Sequence, residues 1–148
     1  MAGARLALPD QLQPGARPVG APGLRRPAPG PGFSHAVVTT GGRLVFLAGQ
    51  IAHGAGGEIV GDTVVAQFEQ ALANVLEALR AAGGRPEHLA SLTIYAVDLD
   101  DYRAHGRELG LVWRRLAGRD YPAMAGVGVS RLWHPDALVE IQGYAVIG

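Results

Sequence analysis

Apolar and polar residues alternate from Phe33 onward, where the chain reads FSHAVVTTGGRLVFLAGQIA. Period-two alternation with many β-branched residues predicts strands at Ser34–Thr39 and Arg43–Ala48. Gly41 and Gly42 lie between them, and a glycine pair is typical of a tight turn because glycine takes positive φ without steric cost. We therefore predict a β-hairpin, followed by the glycine-rich loop HGAGGEIVG.

A period close to that of an α-helix appears twice further along the chain. In TVVAQFEQALANVLEALRAAGG, apolar positions recur at steps of three and four, with Asp62 or Thr63 as the N-cap and Gly83-Gly84 after the last turn. Asp100 or Asp101 is predicted to cap a second helix. The apolar face of this second helix carries Tyr102, His105, Leu109, Val112, Trp113 and Leu116, all of which we expect to be packed.

Three further runs rich in β-formers complete the pattern, and they predict strands at Leu92–Val97, Ala123–Val129 and Leu138–Val146. The order is then β-β-α-β-α-β-β, in which both helices need a sheet to cover, so the fold class is α+β. A chain of 148 residues can bury one sizeable core. We expect a single domain over residues 33–148.

Residues 1–32 are rich in proline, glycine and alanine, which predicts neither a helix interior nor a central strand. We interpret them as an N-terminal tail or arm. Two alternatives stay open for this segment: a flexible leader, or an extended arm that lies across a neighbouring surface.

The amino-acid composition excludes several catalytic mechanisms and kinds of partner. The 13 basic residues are all arginine, they are scattered, and the formal net charge is zero, so nucleic acid is not an expected partner. Without lysine or cysteine, the chain has no Schiff-base or thiolate chemistry and no cysteine-ligated zinc. No spacing typical of a metal site, dinucleotide loop or phosphate loop occurs, so we expect no metal and no cofactor.

No apolar run approaches the length of about 18 residues that a membrane-spanning helix needs. The N-terminus also lacks the charged start and continuous apolar core of a signal peptide. We therefore expect no membrane partner and a cytoplasmic protein.

Four segments, in the order GPGFSHAV, LVFLAGQIA, YPAMAGVGVSRL and ALVEIQGYAV, resemble the Rid family of reactive-intermediate imine and enamine deaminases, also called YjgF-like or L-PSP proteins. The resemblance implies a YjgF-type, chorismate-mutase-like subunit with a mixed sheet of about five to six strands and two helices packed on one face. It also implies a homotrimer whose sheets face inward, with small-molecule clefts between subunits.

The resemblance also implies roles for single residues. Glu140 corresponds to the glutamate that helps to position the hydrolytic water, Gly49 and Gln50 to the family's Gly-Gln pair, and Phe33 to the aromatic residue after Gly-Pro. Met124 stands where the family has the Pro-Ala-Arg arginine, which clamps the carboxylate of a 2-imino acid. Because a thioether cannot replace two charge-assisted hydrogen bonds, ordinary 2-imino-acid deamination is in doubt.

The strand around Met124 allows the pocket to be described further. Alternation places Gly126 on the same face as Met124, which predicts a wider and less polar pocket than an arginine would leave. Tyr121 is a further candidate for the pocket wall. Arg119 precedes Met124 by five residues and is either a substitute clamp or a solvated turn arginine.

Two functions stay open. The first is a Rid-type enzyme that hydrolyses or tautomerises a reactive imine, enamine or related carbonyl metabolite, with Glu140 orienting water and backbone amides near Gly126 or Gly49 stabilising developing charge. The alternative is a non-catalytic trimer that binds a small metabolite in the same clefts. A ribonuclease activity, also attributed to this family, fits poorly with zero net charge and no lysine.

Overall fold

A computed structural model describes residues 23–148, so most of the predicted N-terminal tail lies outside the described residues. The strands are Leu24–Gly30 (β1), Phe33–Thr39 (β2), Arg43–Gln50 (β3), Leu89–Ala96 (β4), Ala123–Gly128 (β5) and Val139–Ile147 (β6). The helices are Val64–Ala81 (α1), Leu99–Ala104 (α2) and Gly106–Ala117 (α3), with a 3₁₀ turn at Pro86–His88.

The six strands form one mixed sheet in the order β1-β2-β5-β4-β6-β3, which confirms the predicted α+β class. β4 and β5 are parallel, whereas β6 is antiparallel to both β4 and β3. α1 and α3 pack together on one face, over core residues that include Leu92, Ile94 and Ile141. The fold therefore has one helix-covered face and one face without helices.

The predicted hairpin is wrong, although both of its strands exist. β2 pairs with β1 and contacts β5 at Ser34 and Ala123, whereas β3 pairs with β6 at the other edge of the sheet. Gly41 and Gly42 do take positive φ, at 73° and 99°. The turn therefore connects two strands that are not neighbours.

The partner that β2 uses instead is β1, a segment that the sequence analysis assigned to the tail because of its prolines. An edge strand tolerates proline, since only one of its sides needs backbone donors. Arg26 ties β1 to the sheet by donating hydrogen bonds to the carbonyl oxygens of Tyr121 at 2.9 Å, Glu87 at 3.0 Å and Leu89 at 3.3 Å. These carbonyl oxygens lie just before or at the first residues of β5 and β4. Arg26 therefore holds the β1–β2 hairpin against that end of the sheet.

The long helix α1 begins and ends where the sequence predicts. The Thr63 hydroxyl accepts a hydrogen bond from the Ala66 amide at 3.2 Å, which satisfies one free donor of the first turn. Gly83 follows the last turn with φ of 86°. Burial of the residues on its apolar face, Phe68, Ala71, Leu72, Val75 and Leu79, fixes this helix against the sheet.

The predicted second helix is two helices, α2 and α3, and its cap is Asp98 rather than Asp100 or Asp101. The Asp98 carboxylate accepts from the Asp101 amide at 2.9 Å. The helix breaks at His105, where φ and ψ are −99° and 20°, and Gly106 follows with its low helix propensity. Instead of packing, the His105 side chain is 41 % exposed and contacts the Asp101 carboxylate at 3.2 Å.

Candidate functional site

A cleft lies on the helix-covered face, between the first residues of β5, the α2–α3 junction and the turn that joins β1 to β2. It consists of two adjoining cavities of about 380 and 350 Å³, and we call it the helix-side cleft. Gly32, Tyr102 and Met124 line both cavities. Met124 points here because its cross-strand partner, Leu92, is only 1 % exposed beneath the helices.

The structure brings four of the predicted binding residues to this cleft. Phe33, Met124 and Gly126 line the smaller cavity, and Tyr121 and Met124 line the larger one. Tyr121 stacks on Trp113 with ring centroids 5.0 Å apart and an angle of 15° between the planes. A Cβ at Gly126 would meet no atom within 4 Å, so the wall at this position is open.

The lining of the helix-side cleft is largely apolar. Burial raises the pKa of Tyr102 to about 12, so its phenol stays neutral in the physiological range. Among the described residues that line the two cavities, Arg103 alone carries a formal charge, and it is exposed at the edge of the larger one. The cleft therefore combines an apolar interior with one cation at its rim.

Glu140 and Gly49 lie on the other face of the sheet, and we call them the sheet-side group, whereas Gln50 pairs with Ile141 at the end of β3 and lines neither cavity. Glu140 pairs with Tyr95, the strand neighbour of the buried Ile94, so its side chain points away from the helices. Ile141 is completely buried on the helix side, which gives the same alternation along β6.

Gly49 lies so close to Glu140 that any side chain there would displace the Glu140 carboxylate. The β3–β6 pairing shifts between Leu47 and Gln50, and this irregularity brings the Gly49 backbone beside the Glu140 carboxylate. A Cβ on Gly49 would overlap Glu140 Oε1. Glycine at this position therefore leaves the half-buried carboxylate where it is.

The structure does not bring the helix-side cleft and the sheet-side group together within one subunit, because the sheet lies between them. Arg119 is exposed and lines neither cavity of the cleft. Arg103, which does line it, was missed by the sequence analysis, as were the cleft positions of Gly106 and Gly110. Their spacing of three and four residues places all three on one side of the helical segment, and this was the available signal.

Across residues 23–148, no group of three or more His, Cys, Asp or Glu side chains could hold a metal ion. In the same range, no helix has the length and apolar character needed to cross a membrane.

Comparisons with known proteins agree with this architecture. A family model described as Endoribonuclease L-PSP matches residues 23–147. A RutC family protein from Pyrococcus horikoshii is 33% identical over 119 residues, which cover 80% of this chain and 90% of that protein. The 2-iminobutanoate/2-iminopropanoate deaminase of Capra hircus is 31% identical over 117 residues, covering 78% of this chain and 80% of that enzyme.

Solved structures give the same result. A protein of unknown function of the conserved Rid family, YyfB from Yersinia pestis, has a TM-score of 0.73 and 36% sequence identity to this chain. The match covers 84% of this chain and 99% of that one.

Proposed function

Because the chain belongs to the Rid family of YjgF-like or L-PSP proteins, we propose that it acts on a reactive imine, enamine or related small carbonyl metabolite. It hydrolyses or tautomerises this metabolite in clefts between the subunits of a cytoplasmic homotrimer. The observation that carries the proposal is the division of the family's site residues between two faces of one sheet. Met124 and Phe33 lie on the helix side, whereas Glu140 and Gly49 lie on the other.

A divided site favours assembly, since residues on opposite faces of a packed sheet cannot contact one small molecule. A second copy of the chain can bring its own sheet-side group to the helix-side cleft of the first. The face without helices has the apolar surface for such an interface, because Phe46 is 73 % exposed and Leu44, Val127 and Tyr144 are also exposed there. Sedimentation of the full chain at micromolar concentration should therefore show a trimer, and a uniform monomer would contradict the assembly.

In the proposed hydrolysis, water adds its oxygen to the carbon of the C=N bond and the nitrogen takes up a proton. The C–N bond then breaks, so that ammonia leaves and a carbonyl remains. The Glu140 carboxylate accepts a hydrogen bond from the attacking water and orients it. Backbone amides near Gly49 and Gly126 donate to the charge that develops during addition.

Met124 shapes the specificity of this reaction. A bidentate guanidinium–carboxylate pair contributes about 3–5 kcal/mol, from two charge-assisted hydrogen bonds of about 1.5–3 kcal/mol each. Its absence reduces kcat/KM for small 2-imino acids by roughly 10²- to 10⁴-fold at 1.4 kcal/mol per decade. Substrates of this protein are therefore held by other contacts.

The test is the decay of a panel of imines, aliphatic and aromatic, generated in situ by an amino-acid oxidase in the presence and absence of the protein. We expect accelerated decay for at least one member and a loss of about 10²-fold or more in Glu140→Gln. Glu77→Gln, which removes an exposed carboxylate on α1, is the matched control and should leave the rate unchanged. Absence of acceleration throughout the panel, together with tight binding of a small metabolite, would favour the non-catalytic binding protein instead.

A further inference from the structure

The larger cavity of the helix-side cleft has a rigid aromatic wall. Trp113 is 2 % exposed, stacks on Tyr121, and donates its indole N–H to the carbonyl oxygen of Asp120 at 3.2 Å. Met124 adds a flexible apolar side chain to the same cavity. With a volume of about 380 Å³, it falls within the range in which protein cavities hold small ligands.

Two glycines of α3 keep this cavity open. Neither Gly106 nor Gly110 has positive φ, and a Cβ on either would meet no atom within 4 Å. Backbone conformation and packing therefore do not require glycine at these positions. Gly110, inside α3, also destabilises the helix by about 0.5–1 kcal/mol relative to alanine, whereas Gly106 is the first residue of α3. What both glycines provide is space along one side of the helix, next to the aromatic wall.

Arg103 supplies the charge at the rim of this space. It lies in the last turn of α2, just before the break at His105, and it lines the cavity. No carboxylate among the described residues lies within 4 Å of its guanidinium, whereas Arg80, Arg85 and Arg115 are each paired with a glutamate. An exposed and unpaired guanidinium beside an apolar cavity suits a ligand with an anionic head and an apolar body.

We infer that Arg103 binds the carboxylate of the substrate, and that the cavity between Trp113, Met124 and the two helix glycines binds its side chain. The substrate class is a 2-imino acid, or its 2-enamino tautomer, with a phenyl-sized apolar side chain. This inference rests on the proposed function and names the substrate of the same site. Arg103 thus takes over the clamping role that Met124 cannot perform, from the α2–α3 junction instead of from β5.

The first experiment compares kcat/KM for imines generated in situ from phenylalanine and from alanine. The wild-type chain should prefer the aromatic imine by about 10-fold or more, because only the larger side chain fills the cavity. Arg103→Gln should reduce kcat/KM for the aromatic imine by about 10- to 100-fold, mainly through KM. Arg107→Gln is the matched control, since Arg107 is exposed on α3 and does not line the cavity.

The second experiment fills the cavity. Gly110→Leu should reverse the preference, since it removes activity on the aromatic imine and spares activity on the small one. Ala104→Leu, which adds the same side chain at an exposed position outside the lining, should leave the preference unchanged. Thermal unfolding of each variant verifies that it is folded.

A binding measurement separates failure of this inference from failure of the proposed function. Phenylpyruvate, a stable carboxylate with the same body, should bind the wild-type protein at least 10-fold more tightly than Arg103→Gln in a calorimetric titration. Equal binding by the two proteins, or unchanged kinetics in both Arg103→Gln and Gly110→Leu, would overturn the inference while leaving imine hydrolysis intact. If no imine is hydrolysed but phenylpyruvate binding depends on Arg103, the proposed catalysis fails and the binding site stands.

Discussion

The helix-side cleft and the sheet-side group differ in how tightly their residues are held. Around Gly106, Gly110 and Gly126, an added Cβ meets no atom within 4 Å, whereas at Gly49 it would overlap the Glu140 carboxylate. The cleft therefore contains space for side-chain atoms at all three glycines, whereas at Gly49 the Glu140 carboxylate already occupies that space. Under the proposed function, the cleft would accommodate a variable group of the substrate, and a side chain at Gly49 would move the Glu140 carboxylate.

The largest expected effect comes from returning the family's arginine to the cleft. Met124→Arg should increase kcat/KM for small 2-imino acids by about 10²- to 10⁴-fold, because a substrate too small to fill the cavity is not held against Arg103, position 124 already points into the cleft, and a bidentate clamp contributes about 3–5 kcal/mol. Steady-state kinetics with the imine generated from alanine measures this. Met124→Gln, which is polar but uncharged, should not produce the gain.

Two outcomes would contradict that expectation in different ways. High wild-type activity on the alanine-derived imine would mean that Arg103 already clamps small substrates as well as aromatic ones. A folded and trimeric Met124→Arg protein without activity would mean that the sheet-side group no longer supports hydrolysis.

The next effect concerns the sheet-side group. Gly49→Ala should lower kcat by about 10- to 100-fold, because the new Cβ displaces the carboxylate that orients water. Stability should change little, since the displaced atoms are the far end of a flexible side chain. Gly56→Ala is a matched control, as its Cβ would displace the Glu58 carboxylate outside the site. Equal activities of the Gly49 and Gly56 variants would show that Glu140 does not need its present position.

A smaller effect, an increase in the free energy of unfolding, is expected from a substitution within the cleft. Gly110→Ala should stabilise the protein by about 0.5–1 kcal/mol, since alanine favours a helix interior and its methyl group meets no neighbour. Gly118→Ala should destabilise it, because Gly118 has φ of 86°. Urea unfolding measures both free energies. Destabilisation in Gly110→Ala would show that the cavity wall is more tightly packed than the structure indicates.

The smallest effect lies at the break between α2 and α3, where the hydrogen bond to the Asp101 carbonyl oxygen raises the pKa of His105 above 6.5. Because the charged form is favoured in the folded state, its contribution to stability is fully present below pH 6.5 and is lost as pH rises through the folded pKa. The difference in unfolding free energy between wild type and His105→Gln should therefore shrink from pH 5.5 to pH 8.5.

Sequence patterns predicted the elements of this fold better than their partners. α1 and its Thr63 cap were predictable because the period persists over five turns and the capping chemistry is local. The pairing of β2 was not, since its partner β1 contains Pro27 and Pro29 and forms only as an edge strand held by Arg26. Which strands are neighbours depends on such contacts between segments distant in sequence.

The candidate site was predicted in a similarly uneven way. Alternation along β5 predicted that Met124 and Gly126 share a face, whereas no face was predicted for Glu140 on β6. The role of Arg103 in the cleft could not be predicted. The apolar period of the second helix runs across the break at His105 without interruption, and its glycines look like ordinary positions between the apolar ones. The resemblance to a family also directs attention to matching positions, and Arg103 lies outside the matched motifs.

The placement of the helix-side cleft and the sheet-side group on opposite faces of one sheet also has a consequence for inheritance. In the proposed trimer, every cleft is shared by two chains, so a defect in Arg103 and a defect in Glu140 belong to different halves. An Arg103 variant and a Glu140 variant, each impaired alone and co-expressed in equal amounts, should form mixed trimers in which roughly one quarter of the clefts combine two intact halves. The two alleles would then complement each other. A Glu140 variant co-expressed with the wild-type chain would lower the activity of the wild-type subunits with which it assembles.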